Sequence, residues 1–267
     1  MKGEPMEKLL FRKNKDVSNG LVNNVRLQYI DFRVFQIKSG EEVCLNTDAN
    51  EAALVVEAGK AQISFNGRRC EMSRENPLEQ TPELLLLPPR TAFCILAATD
   101  LEIVLAATYE RDGCCREPVK VSRGQVRETL RGEEETMRTV RTLIPDQEMT
   151  NLLLFEVITK AGNWSSYPPH KHDTQLPPQE SLLEEIYYYR IEPSSGFAFQ
   201  GVFTDDFSLD EAYAVRDRDI VAIPKGYHPT SAAPGFTCYT FCVMAGPTRE
   251  WNFQVHKDFR HLMNWTK

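Results

Sequence analysis

At 267 residues, 42% hydrophobic and 26% charged, the chain is long enough to bury a substantial core as one large domain or two small ones. Its net charge of -7 and isoelectric point near 5.4 exclude a general attraction to phosphate backbones or anionic membranes. Neither nucleic acid nor membrane is therefore expected as a partner, while a local basic pocket for a small anion stays open.

The amino-terminal stretch "MKGEPMEKLLFRKNKD" breaks any apolar run with charges, and no later run is long and apolar enough to span a bilayer, so a cytoplasmic protein is expected. Seven cysteines, at 44, 70, 94, 114, 115, 238 and 242, are odd in number and include no CxxC pair. That pattern fits reduced thiols better than a disulfide framework. In chain order, "VRLQYIDFRVFQI", "EAALVVEAGKAQISF", "ELLLLPP", "AFCILAA" and "LEIVLAATY" are short β-branched or aromatic runs divided by Gly, Pro, Asn and Asp. They predict antiparallel strands of a sandwich or barrel. The segment "REPVKVSRGQVRETLRGEEETM" is charged and poor in large apolar residues, as expected of a linker with one short exposed helix. Strand-like runs then return in "MRTVRTLI", "NLLLFEVITKAG", "EEIYYYRIEP", "GFAFQGVFT", "EAYAVRDRDIVAIP" and "FTCYTFCVMAG". The division expected is a first half over 1–118, a linker over 119–136 and a second half over 137–267.

The halves share an order of elements, which points to an internal duplication. "DANEAALVVEAGKAQISFNG" can be laid on "LLEEIYYYRIEPSSGFAFQG", and "ELLLLPPRTAFCI" on "DIVAIPKGYHPTS". With Pro88 set against Pro224, Ala92 falls opposite His228, and all five histidines, at 170, 172, 228, 256 and 261, lie in the second half. In "SSYPPHKHDTQLPPQESLLEEIYYYR" an extended backbone points His170 and His172 to one face and Lys171 to the other, so two imidazoles converge. Alone, such a pair is as readily a surface or core feature as half a metal site. His256 and His261 sit among aromatics in "WNFQVHKDFRHLMNW" and read as packing of a terminal segment.

The H-x-H pair, a Glu leading into an aromatic strand, and "IPKGYHP" some forty residues on resemble the two metal-binding motifs of the cupin superfamily. More narrowly, "GNWSSYPPHKHD", "LEEIYYYRI", "GFAFQGVFT" and "DRDIVAIPKGYHP" resemble the 5-deoxy-glucuronate isomerases of inositol catabolism, related to the 5-keto-4-deoxyuronate isomerases. The resemblance runs over nearly the whole chain. It implies an all-β, two-cupin (bicupin) monomer of two antiparallel jelly-roll barrels, the first without a metal site. It also implies conversion of 5-deoxy-D-glucuronate to 5-dehydro-2-deoxy-D-gluconate, an aldose-to-ketose change assisted by a metal through an enediolate. His170, His172 and His228 are then the imidazole ligands. The carboxylate is a choice among Glu180, Glu184 and Glu185, because "DTQLPPQESLLE" intervenes where cupins usually have a few residues. Glu185 is preferred, since alternation then places Tyr187 and Tyr189 on its inward face and turns Glu184 outward. The insertion, with its proline pair, is a candidate lid.

A divalent cation suits this mixed donor set, zinc or manganese first, with iron, cobalt and nickel also compatible. Glu184, Tyr187 and Lys225 are the candidate proton carriers, none distinguished from the others. Arg190, Arg218, Lys225 and Arg249 are candidates for the substrate carboxylate, Arg190 and Arg249 foremost. The expected partner is a small sugar acid, and homo-oligomerisation is left open. Rival readings are a cupin oxygenase with the same ligands and a non-enzymatic sugar-binding cupin.

Overall fold

Runs of alternating β-branched and aromatic residues can satisfy their backbone groups only by lateral pairing. In the computed structural model, which describes residues 8–14 and 20–266, strands accordingly make up nearly all the regular structure. Part of the charged amino-terminal stretch lies outside the described residues. Among the described residues, helix is confined to the 3₁₀ segments Arg123–Gln125, Glu134–Thr136 and Lys257–Thr266, and no helix is long and apolar enough to cross a membrane.

The two halves are built alike. In the first, the main sheet runs Val119–Val121, Leu84–Leu87, Asn50–Phe65, Leu101–Tyr109, Asp31–Ile37, Leu21–Arg26. In the second it runs Leu10–Phe11, Ile220–Ile223, Glu184–Glu192, Thr237–Ala245, Leu153–Thr159, Arg138–Thr142, Arg127–Arg131. All pairings are antiparallel. The same order of strands in both supports the duplication read from the sequence. The edges are exchanged: Leu10–Phe11, from the start of the chain, pairs with Ile220–Ile223, while Val119–Val121 closes the first-half sheet on Leu84–Leu87. The charged stretch over 119–136 thus carries two strands, of which Arg127–Arg131 pairs with Arg138–Thr142.

Three apolar cores follow from strand alternation. One fills the first half with Phe35, Leu54, Ile63, Phe93 and Ile95, all buried. A second lines the inside of the second half with Tyr187, Tyr189, Ile191, Val221 and Met244. The third lies between the halves, where Phe32, Val55 and Val104 meet Ile186, Tyr188, Tyr239 and Phe241. Each fully buried apolar side chain contributes about 1.5–3 kcal/mol relative to exposure, so three consecutive tyrosines can all be structural while facing two different cores.

Cys44 and Cys94 stand opposite each other on the pair Glu42–Asn46 and Ala92–Ala97 and are joined in a disulfide, their Cα atoms 4.0 Å apart. This corrects the expectation of reduced thiols for those two. They are 50 residues apart in sequence, and only the antiparallel register brings them together. Cys70, Cys114, Cys115, Cys238 and Cys242 are free, the last three buried.

The interface between the halves also carries buried charge. Arg74 makes paired hydrogen bonds to Glu156 at 2.7 and 2.8 Å, Arg141 adds one at 3.1 Å, and Tyr239 donates to Glu57 at 3.2 Å. Nearby, Glu102 accepts from Tyr188, Arg190, Arg218 and Gln36. Burial pushes Glu102 up, yet Arg190 and Arg218 outweigh it and hold the carboxyl below its ordinary value. At Glu57 burial prevails over Arg74 and raises the carboxyl from 4.5 to about 7; its Oε2 has no hydrogen-bond partner.

Over the range from about 4.5 to about 7 the folded chain therefore keeps a proton on Glu57 that the unfolded chain has released. The contribution of this group to stability is fully present below the unfolded value and declines as pH rises to the folded one. Glu57→Gln, neutral at every pH, should gain melting temperature over the parent at pH 8 by more than at pH 5. Thermal unfolding across that range checks it, and parallel curves for the two proteins would contradict the assignment.

Candidate metal centre

Three separate segments bring imidazoles and a carboxylate to the inside of the second half. His170–Lys171 pairs with the tail strand Gln254–Val255, His170 opposite Val255, and the His256 amide donates to Pro169 O at 2.9 Å. His172 follows, its carbonyl accepting from Leu183 N at 2.8 Å. Glu185 sits on Glu184–Glu192, opposite Ile223 on one side and Met244 on the other. His228 comes after a turn at Gly226 with φ +93°, where an added Cβ would stand 2.6 Å from Phe203 O, so only glycine fits. The Gly226 amide donates to Asp173 at 2.9 Å, tying that turn to the H-x-H segment.

Each imidazole is held from behind. The Nδ1 atoms of His170, His172 and His228 lie 3.1, 2.9 and 2.9 Å from the carbonyl oxygens of Pro168, Leu183 and Gly226. A ring N–H donated to a carbonyl leaves Nε2 as the free lone pair, the usual outer support of a metal-binding histidine. The Nε2 atoms of His172 and His228 are each 3.2 Å from Glu185 Oε2. The donor atoms of His172, Glu185 and His228 all lie within 4.8 Å of one another, and His228 Nε2 is buried with no hydrogen-bond partner. His170 stands beside this trio, its ring centroid 5.0 Å from that of His228, 6.3 Å from that of His172 and 4.8 Å from the Phe253 ring.

The electrostatics favour an ionised carboxylate beside a neutral His170, while burial of His172 is outweighed by its contact with Glu185, which raises that imidazole. Burial, with His228 and His172 beside it, lowers His170 to about 3. Burial pushes Glu185 up, but contacts with His172 and His228 outweigh it and bring the carboxyl to about 2. Three nitrogen donors and one anionic oxygen, buried and preoriented, match what a divalent cation requires. The other such cluster among the described residues, Glu42 with Cys44 and Cys94, has its two sulfurs bonded to each other.

The remaining candidates are dispersed. Tyr187 lines the same cavity as Glu185, with its hydroxyl 2.7 Å from Ser166 Oγ. Glu184, one residue from Glu185, faces the first half and accepts the amides of Gln28 and Tyr29 at 3.2 and 2.7 Å. Glu180 closes the hairpin formed by the insertion, accepting from Lys171 Nζ and the amides of Asp173 and Thr174. Lys225 is exposed. Arg190 is bound to Glu102 and Asp217, Arg218 to the same two carboxylates, and Arg249 to the carbonyls of Leu152 and Glu148.

Residues 8–262 match the model of the KduI/IolB family. The chain belongs to that family. It is 40% identical to the 5-deoxy-glucuronate isomerase of Geobacillus kaustophilus strain HTA426, over 90% of this chain and 88% of that protein. To the enzyme of the same name from Bacillus subtilis strain 168 it is 36% identical, over 91% and 94%. An IolB-like protein of Salmonella typhimurium LT2 superposes with a TM-score of 0.91 at 35% identity, covering 96% of this chain and 99% of that one. Oxalate decarboxylase of Lactobacillus farciminis shares the two-barrel cupin fold at a TM-score of 0.67 and 13% identity, covering 94% and 89%.

Within this family member, the sequence reading missed Arg131, Arg138, Ser166 and Trp251, which line the cavity beside Glu185 and Tyr187. The two arginines lay in or next to a stretch read as linker. Arg138 lies in "MRTVRTLI", already read as a strand, whereas Arg131 ends "RETLR", whose strand is evident only once its hairpin partner is known.

The Glu184 contacts generate a prediction. Glu184→Ala leaves two backbone amides without their acceptor and should cost about 1–3 kcal/mol of unfolding free energy, measured by urea denaturation. An unchanged midpoint would show that this carboxylate does not hold the two halves at Gln28 and Tyr29.

Proposed function

We propose that this chain is the aldose–ketose isomerase that converts 5-deoxy-D-glucuronate to 5-dehydro-2-deoxy-D-gluconate in myo-inositol catabolism, working in the cytoplasm. The observation that carries the reading is the buried convergence of His172, His228 and the ionised Glu185, with His170 beside them, in a chain 40% identical to an enzyme so named. A divalent cation held by His170, His172, Glu185 and His228, with zinc or manganese the first choices, would act as a Lewis acid on neighbouring sugar oxygens and offset the negative charge that develops there.

The chain's own groups do the rest. The reaction removes a proton from C2 and returns one to C1, so a proton must also pass between the two oxygens. We assign that transfer to Tyr187, which lines the same cavity as Glu185. Burial pushes its phenol well above the ordinary value, so it is protonated near neutral pH and can donate to a sugar oxygen. Ser166, 2.7 Å from the phenol oxygen, holds it in orientation. Glu185, ionised and shared by two imidazoles, has no proton to give. Glu184 and Lys225 face elsewhere, which leaves Tyr187 as the proton carrier of choice.

Purified protein should contain about one divalent ion per chain, and His172→Ala, His228→Ala or Glu185→Ala should each lose it, while Glu180→Ala keeps it. Elemental analysis decides the point; retention in all three ligand variants would remove the proposed centre. Conversion of 5-deoxy-D-glucuronate should proceed without oxygen uptake and, in deuterated water, place deuterium at C1 of the ketose. Stoichiometric oxygen consumption would favour an oxygenase, and absence of any ketose from the metal-loaded protein would reject the isomerase reading. Tyr187→Phe should lower kcat by roughly 10²–10⁴-fold with metal content unchanged.

A further inference from the structure

The insertion that separates the H-x-H pair from Glu185 does not cover the cavity beside that carboxylate: among the described residues lining it, none comes from 173–184. The insertion is a hairpin of Asp173–Leu176 and Glu180–Leu182, with Leu176 exposed near its tip. Its base is fastened on three sides. Leu183 N donates to His172 O at 2.8 Å, Ser181 N donates to Asn252 O in the tail at 2.9 Å, and the Gly226 amide donates to Asp173 at 2.9 Å. The lid expected of this segment is instead a brace built onto the ligand-bearing segments.

Asp173 is the junction of that brace. Its Oδ2 accepts the Gly226 N–H, and its Oδ1 lies 2.6 Å from Lys171 Nζ. Lys171 also reaches Glu180 Oε1 at 2.9 Å, and the same oxygen accepts the Asp173 amide at 2.9 Å, which closes the clasp. The side chains of Lys171, Asp173 and Glu180 are only 14%, 14% and 5% exposed, so water and salt screen this clasp far less than an ion pair on the surface.

Gly226 carries the clasp to a ligand. Its N–H is taken by Asp173, and its carbonyl oxygen stands 2.9 Å from His228 Nδ1. Both polar backbone groups of the residue are thereby engaged, in a turn that only glycine fits. A hydrogen bond to an ionised acceptor is roughly twice as strong as a neutral one, so the carboxylate fixes the turn and with it the direction of the carbonyl. That carbonyl decides which nitrogen of His228 carries the proton. The other two rings are supported by the carbonyls of Pro168 and Leu183, and neither support passes through Gly226.

We infer that Asp173 is a positioning residue of the metal centre: acting through Gly226, it holds the His228 ring with Nε2 at 3.2 Å from Glu185 Oε2 and so sets how tightly a divalent cation is bound. The inference rests on the metal centre proposed above.

Cobalt(II) binding to the full chain tests it. Asp173→Ala should weaken affinity by roughly tenfold, the lower end of what an outer-shell partner contributes, and should shift the visible bands of the cobalt-loaded protein. In Asp173→Asn the amide oxygen still accepts the Gly226 N–H, so most of the affinity should return. Glu180→Ala, which removes the far arm of the clasp, should bind cobalt as the parent does. Hydrogen exchange in the metal-free chain gives a readout without the cation: the Gly226 amide should exchange roughly tenfold faster in Asp173→Ala, while the Leu183 amide keeps the parental rate. Parental cobalt affinity in Asp173→Ala, an Asn variant as weak as the Ala variant, or unchanged exchange at Gly226 would each overturn the inference. Equal acceleration at Gly226 and Leu183 would also overturn it, since the loss would then be one of local folding. If the parent binds no cobalt, yet Asp173→Ala selectively frees the Gly226 amide and changes the His228 tautomer seen by nitrogen-15 NMR, the link from Asp173 to His228 stands and the metal reading falls.

Discussion

The period-two alternation of the strand Glu184–Glu192 is the constraint on which the rest of the structure depends. It is buried on both faces. Odd residues, Glu185, Tyr187, Tyr189 and Ile191, face the interior of the second half, and even residues, Glu184, Ile186, Tyr188 and Arg190, face the first half. A slip of one residue would put Glu184 among the imidazoles and Glu185 against the Gln28 and Tyr29 amides, and would drive Arg190 into the aromatic interior. Register is therefore fixed at both faces at once, by ion pairs on one and by the histidine cluster on the other.

The duplicated architecture gives the first half a structural task. Its interior is filled by Phe35, Leu54, Phe93 and Ile95, and Ala92, the counterpart of His228, is exposed at the start of a strand. Among its described residues it has no counterpart of the hairpin Asp173–Leu176 and Glu180–Leu182 that follows His172. Its surface instead supplies Glu57, Arg74 and Glu102 to a buried network that grips Tyr239, Glu156, Tyr188 and Arg190. Breaking such a pair from one side typically costs about 3–5 kcal/mol, because it leaves a charge buried alone. The half that carries the histidine cluster is thus held on its outer face by the first half.

Much of this was legible in the sequence because it is local. Alternating apolar runs announced the strands, the order of those runs announced the repeat, and the H-x-H pair with Glu185 and His228 lies on segments whose faces can be counted off. What was not legible depends on distant partners. Arg190 and Arg218 are indistinguishable in sequence from substrate-binding arginines until Glu102, 88 and 116 residues earlier, is seen to hold them. The Cys44 to Cys94 bond requires the register of a cross-strand pair. The run containing Arg131 is exposed or half-buried along its length, with Arg131 at the cavity, and a pattern with few large apolar residues reads as linker. The tail was read as packing, and His256 does pack against Tyr227 and Phe259, but Gln254–Val255 also forms the strand that seats His170.

The central claim is that three imidazoles and one carboxylate from this one cluster form a single coordination sphere. X-ray absorption spectroscopy of the chain loaded with zinc or manganese tests it most directly. The account predicts nitrogen and oxygen scatterers only, at roughly 2.0–2.2 Å, with the outer-shell pattern of three imidazoles that falls to two in His170→Ala. A sulfur scatterer at roughly 2.3 Å, or an outer shell unchanged when His170 is replaced, would contradict it.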